Sequence, residues 1–144
     1  MARLPPCLRA GLAACALAAC ALAGAAPAMT VSFTFDDAHG SHLTEAAPLL
    51  ERHGFRGLFC VPTDWVGQPG RLTWDDVREL RRRGHGVVPH GAAHVDLAAL
   101  LRRGEKEAVR RDLRRARDAM RAALGEAPRL VCLPFNACDA ALAD

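Results

Sequence analysis

An α/β fold built on a parallel sheet is what this sequence predicts from Thr30 onward, on three observations. Strand-like and helix-like segments alternate, the pattern of parallel strands joined by crossover helices. Asp36 and Asp37, His90 and His94, and the stretch Pro134-Phe135-Asn136 each follow a strand-like run. In parallel α/β folds, ligands and catalytic groups gather at the carboxyl ends of the strands. Finally, 144 residues give room for one domain, whereas a closed eight-stranded barrel typically needs ~250.

The elements can be justified in order. The first strand, around Thr30 to Phe35, runs into the aspartate pair. A helix follows from about Leu43 to His53, with Pro48 in its middle and Gly54 suited to the left-handed residue beyond its end. A second strand spans Gly57 to Pro62. After a Gly- and Pro-rich loop, Thr73-Trp74-Asp75-Asp76 has the capping-box arrangement that starts a helix, closed at Gly84. The third strand, Gly86 to Val88, is ended by Pro89 just before His90. A long amphipathic helix covers roughly Gly104 to Leu124, with Val109, Leu113, Ala116, Met120 and Leu124 along one face, and Gly125 and Pro128 stop it. A fourth strand is expected over Leu130 to Leu133.

Residues 1–28 read as an export leader ahead of a domain over 29–144. Arg3 and Arg9 precede an apolar, alanine-rich run from about Ala10 to Leu22, and Ala26-Pro27-Ala28 offers a cleavage point after Ala28. A rival processing point is Leu17-Ala18-Ala19-Cys20, whose cysteine would be lipidated and tie the chain to a membrane. The apolar run is shorter than the ~20 residues that span a bilayer. Either route makes the protein exported, periplasmic or secreted. Of the six cysteines, Cys7, Cys15 and Cys20 fall in the leader, leaving Cys60, Cys132 and Cys138. Three is an odd number for a complete disulfide framework and leaves open a pairing of Cys132 and Cys138 with one another or with Cys60, while Cys60 and Cys132 read best as small buried hydrophobes.

The net charge of +3 is concentrated in the arginines of residues 102–121. They are interleaved with Glu105, Glu107, Asp112 and Asp118 at three- and four-residue spacings, the pattern of a solvated, salt-bridged helix face rather than a nucleic-acid surface. His42 and His53 lie near helix ends and are expected at the surface or against a helix C-terminal dipole, and His85 reads as a turn residue, with support of the metal ligands from behind as the alternative. Trp74 is expected to pack, and Trp65 is a candidate for lining a sugar groove.

Two carboxylates and two imidazoles at strand ends are the donor set of a hydrolytic metal site. Imidazole nitrogen with carboxylate oxygen suits a borderline divalent cation such as zinc, and a catalytic zinc takes three protein ligands and keeps one position open. Four candidates for three places leave one carboxylate to act as a base.

Thr34-Phe35-Asp36-Asp37, together with Gly84-His85-Gly86-Val87-Val88-Pro89-His90-Gly91-Ala92-Ala93-His94 and Leu97, resembles the polysaccharide deacetylase (NodB-homology) family of carbohydrate esterases. The resemblance extends over the Phe55 to Pro62 strand and the Leu72 to Leu80 segment. It implies a distorted (β/α) barrel, of which this chain would hold the N-terminal half, and metal-dependent removal of acetyl groups from N-acetylated or O-acetylated polysaccharide. It further implies that Asp37, His90 and His94 hold the metal and Asp36 is the base that takes a proton from the attacking water. Pro134, Phe135 and Asn136 would face substrate. Three departures stand out. Gly91 replaces a Ser or Thr, the arginine that orients the base in the family is missing from its usual place in the Val131 to Asn136 stretch, and Asn136 replaces a glycine. The motif with the general-acid histidine would lie beyond Asp144, which leaves an alternative reading: a catalytically inactive remnant that binds metal and glycan.

Overall fold

The computed structural model describes residues 30–137. The expected leader, its cleavage after Ala28, lipidation at Cys20 and any pairing of Cys138 lie outside the described residues. The chain divides into two compact units, Met1–Val31 and Ser32–Asp144, and the fold is that of the second.

Three short strands, β1 (Phe33–Phe35), β2 (Gly57–Val61) and β3 (Gly86–Pro89), form a parallel sheet in the order β1-β2-β3. Phe35 is registered with Phe59, Phe59 with Val87, and Cys60 with Val88. Alternation along a strand sends neighbours to opposite faces. Phe59, Val61 and Val87 pack with Leu72, Val77, Leu80 and Met120 in the core under the helices. Cys60, between Phe59 and Val61, therefore faces the other side, as does Asp36 after Phe35.

The helices are α1 (Ala47–Arg52), α2 (Trp74–Arg82), α3 (Leu97–Arg102) and α4 (Lys106–Leu124). A wide π turn, His42–Ala46, leads into α1 and accommodates Pro48. Proline has no N–H for the carbonyl four residues back, and the looser spacing falls where that bond would be missing. Thr73 and Asp76 make the expected capping box: Thr73 Oγ1 accepts the Asp76 N–H at 3.2 Å, and Asp76 Oδ2 accepts the Thr73 N–H at 2.8 Å. Gly54, Gly84 and Gly125 take positive φ at or just past the helix ends, as their positions predict.

The structure corrects the sequence reading at four places. Leu130 to Leu133 is not a strand: its one backbone bond to the sheet runs from the Cys132 N–H to the Pro89 carbonyl at 2.9 Å. Helix α3, capped by Asp96 accepting from the Ala99 N–H at 2.8 Å, was not expected. His42 is buried against the stacked rings of Phe35 and Phe59 instead of lying at the surface, while His53 is exposed as expected. His85 is a buried strut rather than a turn residue. Its Nδ1 accepts the Gly57 N–H at 3.1 Å, which leaves the proton on Nε2 to be donated to Glu51 Oε1 at 2.9 Å. The Arg83 guanidinium grips the same carboxylate at 2.6 and 2.8 Å and, with His85, draws the Glu51 pKa down to about 2.

Candidate functional site

Asp37, His90 and His94 converge at the carboxyl ends of β1 and β3, with one ligand-type atom from each lying within 4.8 Å of the others. Strand β1 stops at Phe35, and Asp37 and Ala38 turn through positive φ of 73° and 51°. That turn brings Asp37 into the cluster while Asp36, which is exposed, stays outside it. His90 directly follows β3, its N–H donating to the Val61 carbonyl of β2 at 2.8 Å. His94 has φ of 56°. Every positive-φ residue other than glycine among the described residues, namely Asp37, Ala38, His94, Phe135 and Asn136, belongs to this end of the sheet. Left-handed backbone costs an L-residue roughly 1–2 kcal/mol, so the strain is concentrated where the site is.

The polar geometry fits a cation. His94 Nε2 stands 3.1 Å and His90 Nε2 4.0 Å from Asp37 Oδ1. That oxygen is buried yet has no aligned hydrogen-bond donor among the described residues. A buried carboxylate oxygen without a donor costs on the order of 1–3 kcal/mol or more, and a metal ion removes that cost. His90 Nδ1 donates to the Cys132 carbonyl at 2.9 Å, which fixes the tautomer and presents the Nε2 lone pair to Asp37 and His94.

The surroundings hold the donors in place. The Arg71 guanidinium donates to the Asp37 carbonyl at 2.6 Å and lies 4.5 Å over the Trp65 ring. Trp65 in turn packs at a tilt against His94, with ring centroids 4.6 Å apart, and Phe135 packs against His94 at 4.8 Å. Of the expected substrate-facing residues, Pro134 is buried against the Gly91 region, while Phe135 and Asn136 are exposed. Trp74 packs against the core, as expected.

Sequence reasoning missed Asp112. Far from being a solvated member of the arginine-rich face, it is buried, and its two oxygens accept the N–H groups of Ala92 and Ala93 at 2.8 and 2.9 Å. Helix α4 thereby clamps the loop between the two histidines. The signal was in its position: Val109, Asp112, Ala116 and Met120, all buried, follow one helical stripe. Arg71 carried no such signal.

Asp36 ends β1 with its carboxylate exposed and close to Cys60 and Cys132. Burial pushes the Cys60 thiol far above its ordinary range, and the Cys132 thiol is raised for the same reason. Both cysteines are free.

The chain matches the family model "Polysaccharide deacetylase" over residues 23–144. A chitin deacetylase of Colletotrichum lindemuthianum is 28% identical over 111 residues, covering 76% of this chain and 43% of that protein. The solved structure of the chitin deacetylase from that fungus superposes with a TM-score of 0.61 at 27% identity, covering 76% of this chain and 47% of that one. IcaB from Ammonifex degensii gives a TM-score of 0.70 at 24% identity, covering 80% of this chain and 54% of that one. The chain thus spans about half the length of these relatives, and its parallel sheet with flanking helices is a partial NodB-type (β/α) barrel. By this match and the fold it shares, the chain belongs to the polysaccharide deacetylase family.

Proposed function

We propose that this chain carries the metal-binding half of an exported deacetylase domain that removes acetyl groups from N-acetylated, or O-acetylated, polysaccharide. The observation that supports it most is the donorless, buried Asp37 Oδ1 facing the Nε2 atoms of His90 and His94. This nitrogen and oxygen donor set suits zinc, with Asp37, His90 and His94 as its ligands. When bound, the ion supplies Lewis acidity for the acetyl carbonyl.

The remaining work falls to the chain's own groups. Asp36, exposed beside the ligand set but outside it, accepts the proton of the attacking water, a step worth typically ~10²–10⁴-fold. Trp65 and Phe135 pack against His94 with rings that keep its imidazole oriented and offer an apolar wall to the acetylated sugar. Pro134 seats the turn that carries Phe135 and Asn136. The test is acetyl release from chito-oligosaccharides with a metal assay on the same samples. Asp36→Asn should abolish release and keep the metal; Asp37→Asn should lose both. Loss of metal from Asp36→Asn would reverse the two roles.

One observation favours the alternative of a non-catalytic, metal- and glycan-binding remnant: the Val131 to Asn136 stretch carries no arginine, and what it brings beside Asp36 is Cys132. Tightly held metal in protein that releases no acetate would establish that alternative.

A further inference from the structure

Cys60, Cys132 and Asp36 form a second cluster, with one ligand-type atom from each within 4.8 Å of the other two. It is distinct from the Asp37, His90 and His94 set and shares no residue with it. Cys60 comes from the middle of β2, Asp36 from the end of β1, and Cys132 from the segment beside β3. Three separate parts of the chain thus deliver two sulfurs and a carboxylate to one point on the face of the sheet opposite the helix-covered core.

We propose that this cluster is a binding site for a thiophilic divalent cation, of the zinc or cadmium class, held by Cys60 Sγ, Cys132 Sγ and a carboxylate oxygen of Asp36. Zinc takes sulfur at about 2.3 Å and carboxylate oxygen at about 2.0–2.2 Å, so donors sharing a tetrahedral ion stand roughly 3.5–3.8 Å apart. Atoms already within 4.8 Å of each other close to that spacing by small side-chain rotations. Thiolate donors select soft and borderline ions, which separates this site from the imidazole and carboxylate set next to it. The second coordination sphere is in place too: the Cys132 backbone is pinned by its N–H to the Pro89 carbonyl and by its carbonyl to His90 Nδ1, both at 2.9 Å.

Sheet geometry argues for an ion rather than a direct disulfide. Cys60 is registered with Val88 on one side of β3, and Cys132 bonds to the Pro89 carbonyl on β3's opposite edge. The two backbones are therefore two strand spacings apart, about 9–10 Å in a flat sheet. A disulfide requires α-carbons within about 7 Å, whereas an ion between the sulfurs lengthens the reach. Occupancy would also engage Asp36, so a bound soft ion and proton abstraction by that carboxylate exclude one another.

Titration of the reduced full-length chain with cadmium tests the proposal, read by the ultraviolet thiolate-to-cadmium charge-transfer band. The wild type and His90→Gln/His94→Gln should both develop the band. Cys60→Ser and Cys132→Ser should each weaken cadmium binding at this band by about 100-fold or more, and Asp36→Asn by about tenfold. Should the buried Cys60→Ser fail to fold by circular dichroism, the partly exposed Cys132→Ser carries the test. Three results would overturn it: no band in the wild type, a band unchanged in the double serine variant, which would then come from Cys7, Cys15, Cys20 or Cys138, or a Cys60–Cys132 disulfide found by mass mapping of the protein as purified. None of these depends on acetyl release, so the soft-metal site and the proposed deacetylation stand or fall separately.

Discussion

Asp112 Oδ2 lies 2.8 Å from the point where a β-carbon on Gly91 would stand, and Gly91 has φ of 69°. The carboxylate that clamps the histidine loop thus occupies the space that a side chain at residue 91 would need. The departure from the family's Ser or Thr at that position and the buried acid on α4 are two halves of one arrangement.

Substitutions on either side of this contact should be costly. Gly91→Ser meets both left-handed strain and overlap with Asp112, for a predicted loss of about 2–4 kcal/mol in denaturant unfolding. Asp112→Ala leaves the buried Ala92 N–H without an acceptor, at roughly 1–3 kcal/mol, and the part-buried Ala93 N–H at less, and should weaken metal binding about 10–100-fold by loosening the loop. Combining Gly91→Ser with Asp112→Ala should cost less than the sum of the two, because the overlap is gone. Strict additivity would show that the contact does not matter.

His42 should make stability depend on mildly acidic pH. Burial against Phe35 and Phe59, with His39 nearby, pulls its pKa from 6.5 down to about 4. The unfolded chain takes up this proton first as pH falls, so the contribution is complete above pH ~6.5 and is lost progressively toward pH ~4. The unfolding free energy from urea titrations should fall between pH 7.5 and 4.5 by about 2 kcal/mol more for the wild type than for His42→Phe. Equal losses would remove His42 from the account.

Glu51 acts in a lower pH window. Its pKa of about 2, set by the Arg83 fork and then His85, lies below the ordinary 4.5, so its contribution is present above pH ~4.5 and disappears as pH falls through about 2. Glu51→Gln should lower the thermal midpoint at pH 7 and converge on the wild type only as pH falls below about 2. A gap that stays constant with pH would assign its effect to packing.

Arg71 should support the site without touching a ligand's donor atoms. It holds the Asp37 carbonyl and covers Trp65, which packs against His94. Arg71→Ala is expected to weaken zinc binding about tenfold with the fold retained, and Arg71→Lys to recover only part, because a point charge does not replace the planar fork. Zinc affinity by competition with a chelator checks both.

Much of this was legible because the sequence punctuates itself. Thr73 and Asp76 announce α2, Gly84 and Gly125 close α2 and α4, and the aspartate and histidine pairs follow strands whose apolar residues are easily read. What was not legible depends on partners distant in sequence. Leu130 to Leu133 has the composition of a strand, but pairing is set by a neighbour's edge, and Pro89 offers that edge a carbonyl and no N–H. His42 and Asp112 look solvated by local spacing, and only packing against Phe35, Phe59 and the Ala92 loop buries them. The short helix α3 had one cap, Asp96, to signal it.

The account rests on one cation held jointly by the first strand's end and the histidine loop. A crystal grown with zinc, with anomalous data collected at the zinc edge, examines that directly. The predicted result is a peak about 2.0–2.2 Å from an Asp37 oxygen and from His90 Nε2 and His94 Nε2. A map with no peak there, or with zinc only among Asp36, Cys60 and Cys132, would contradict it.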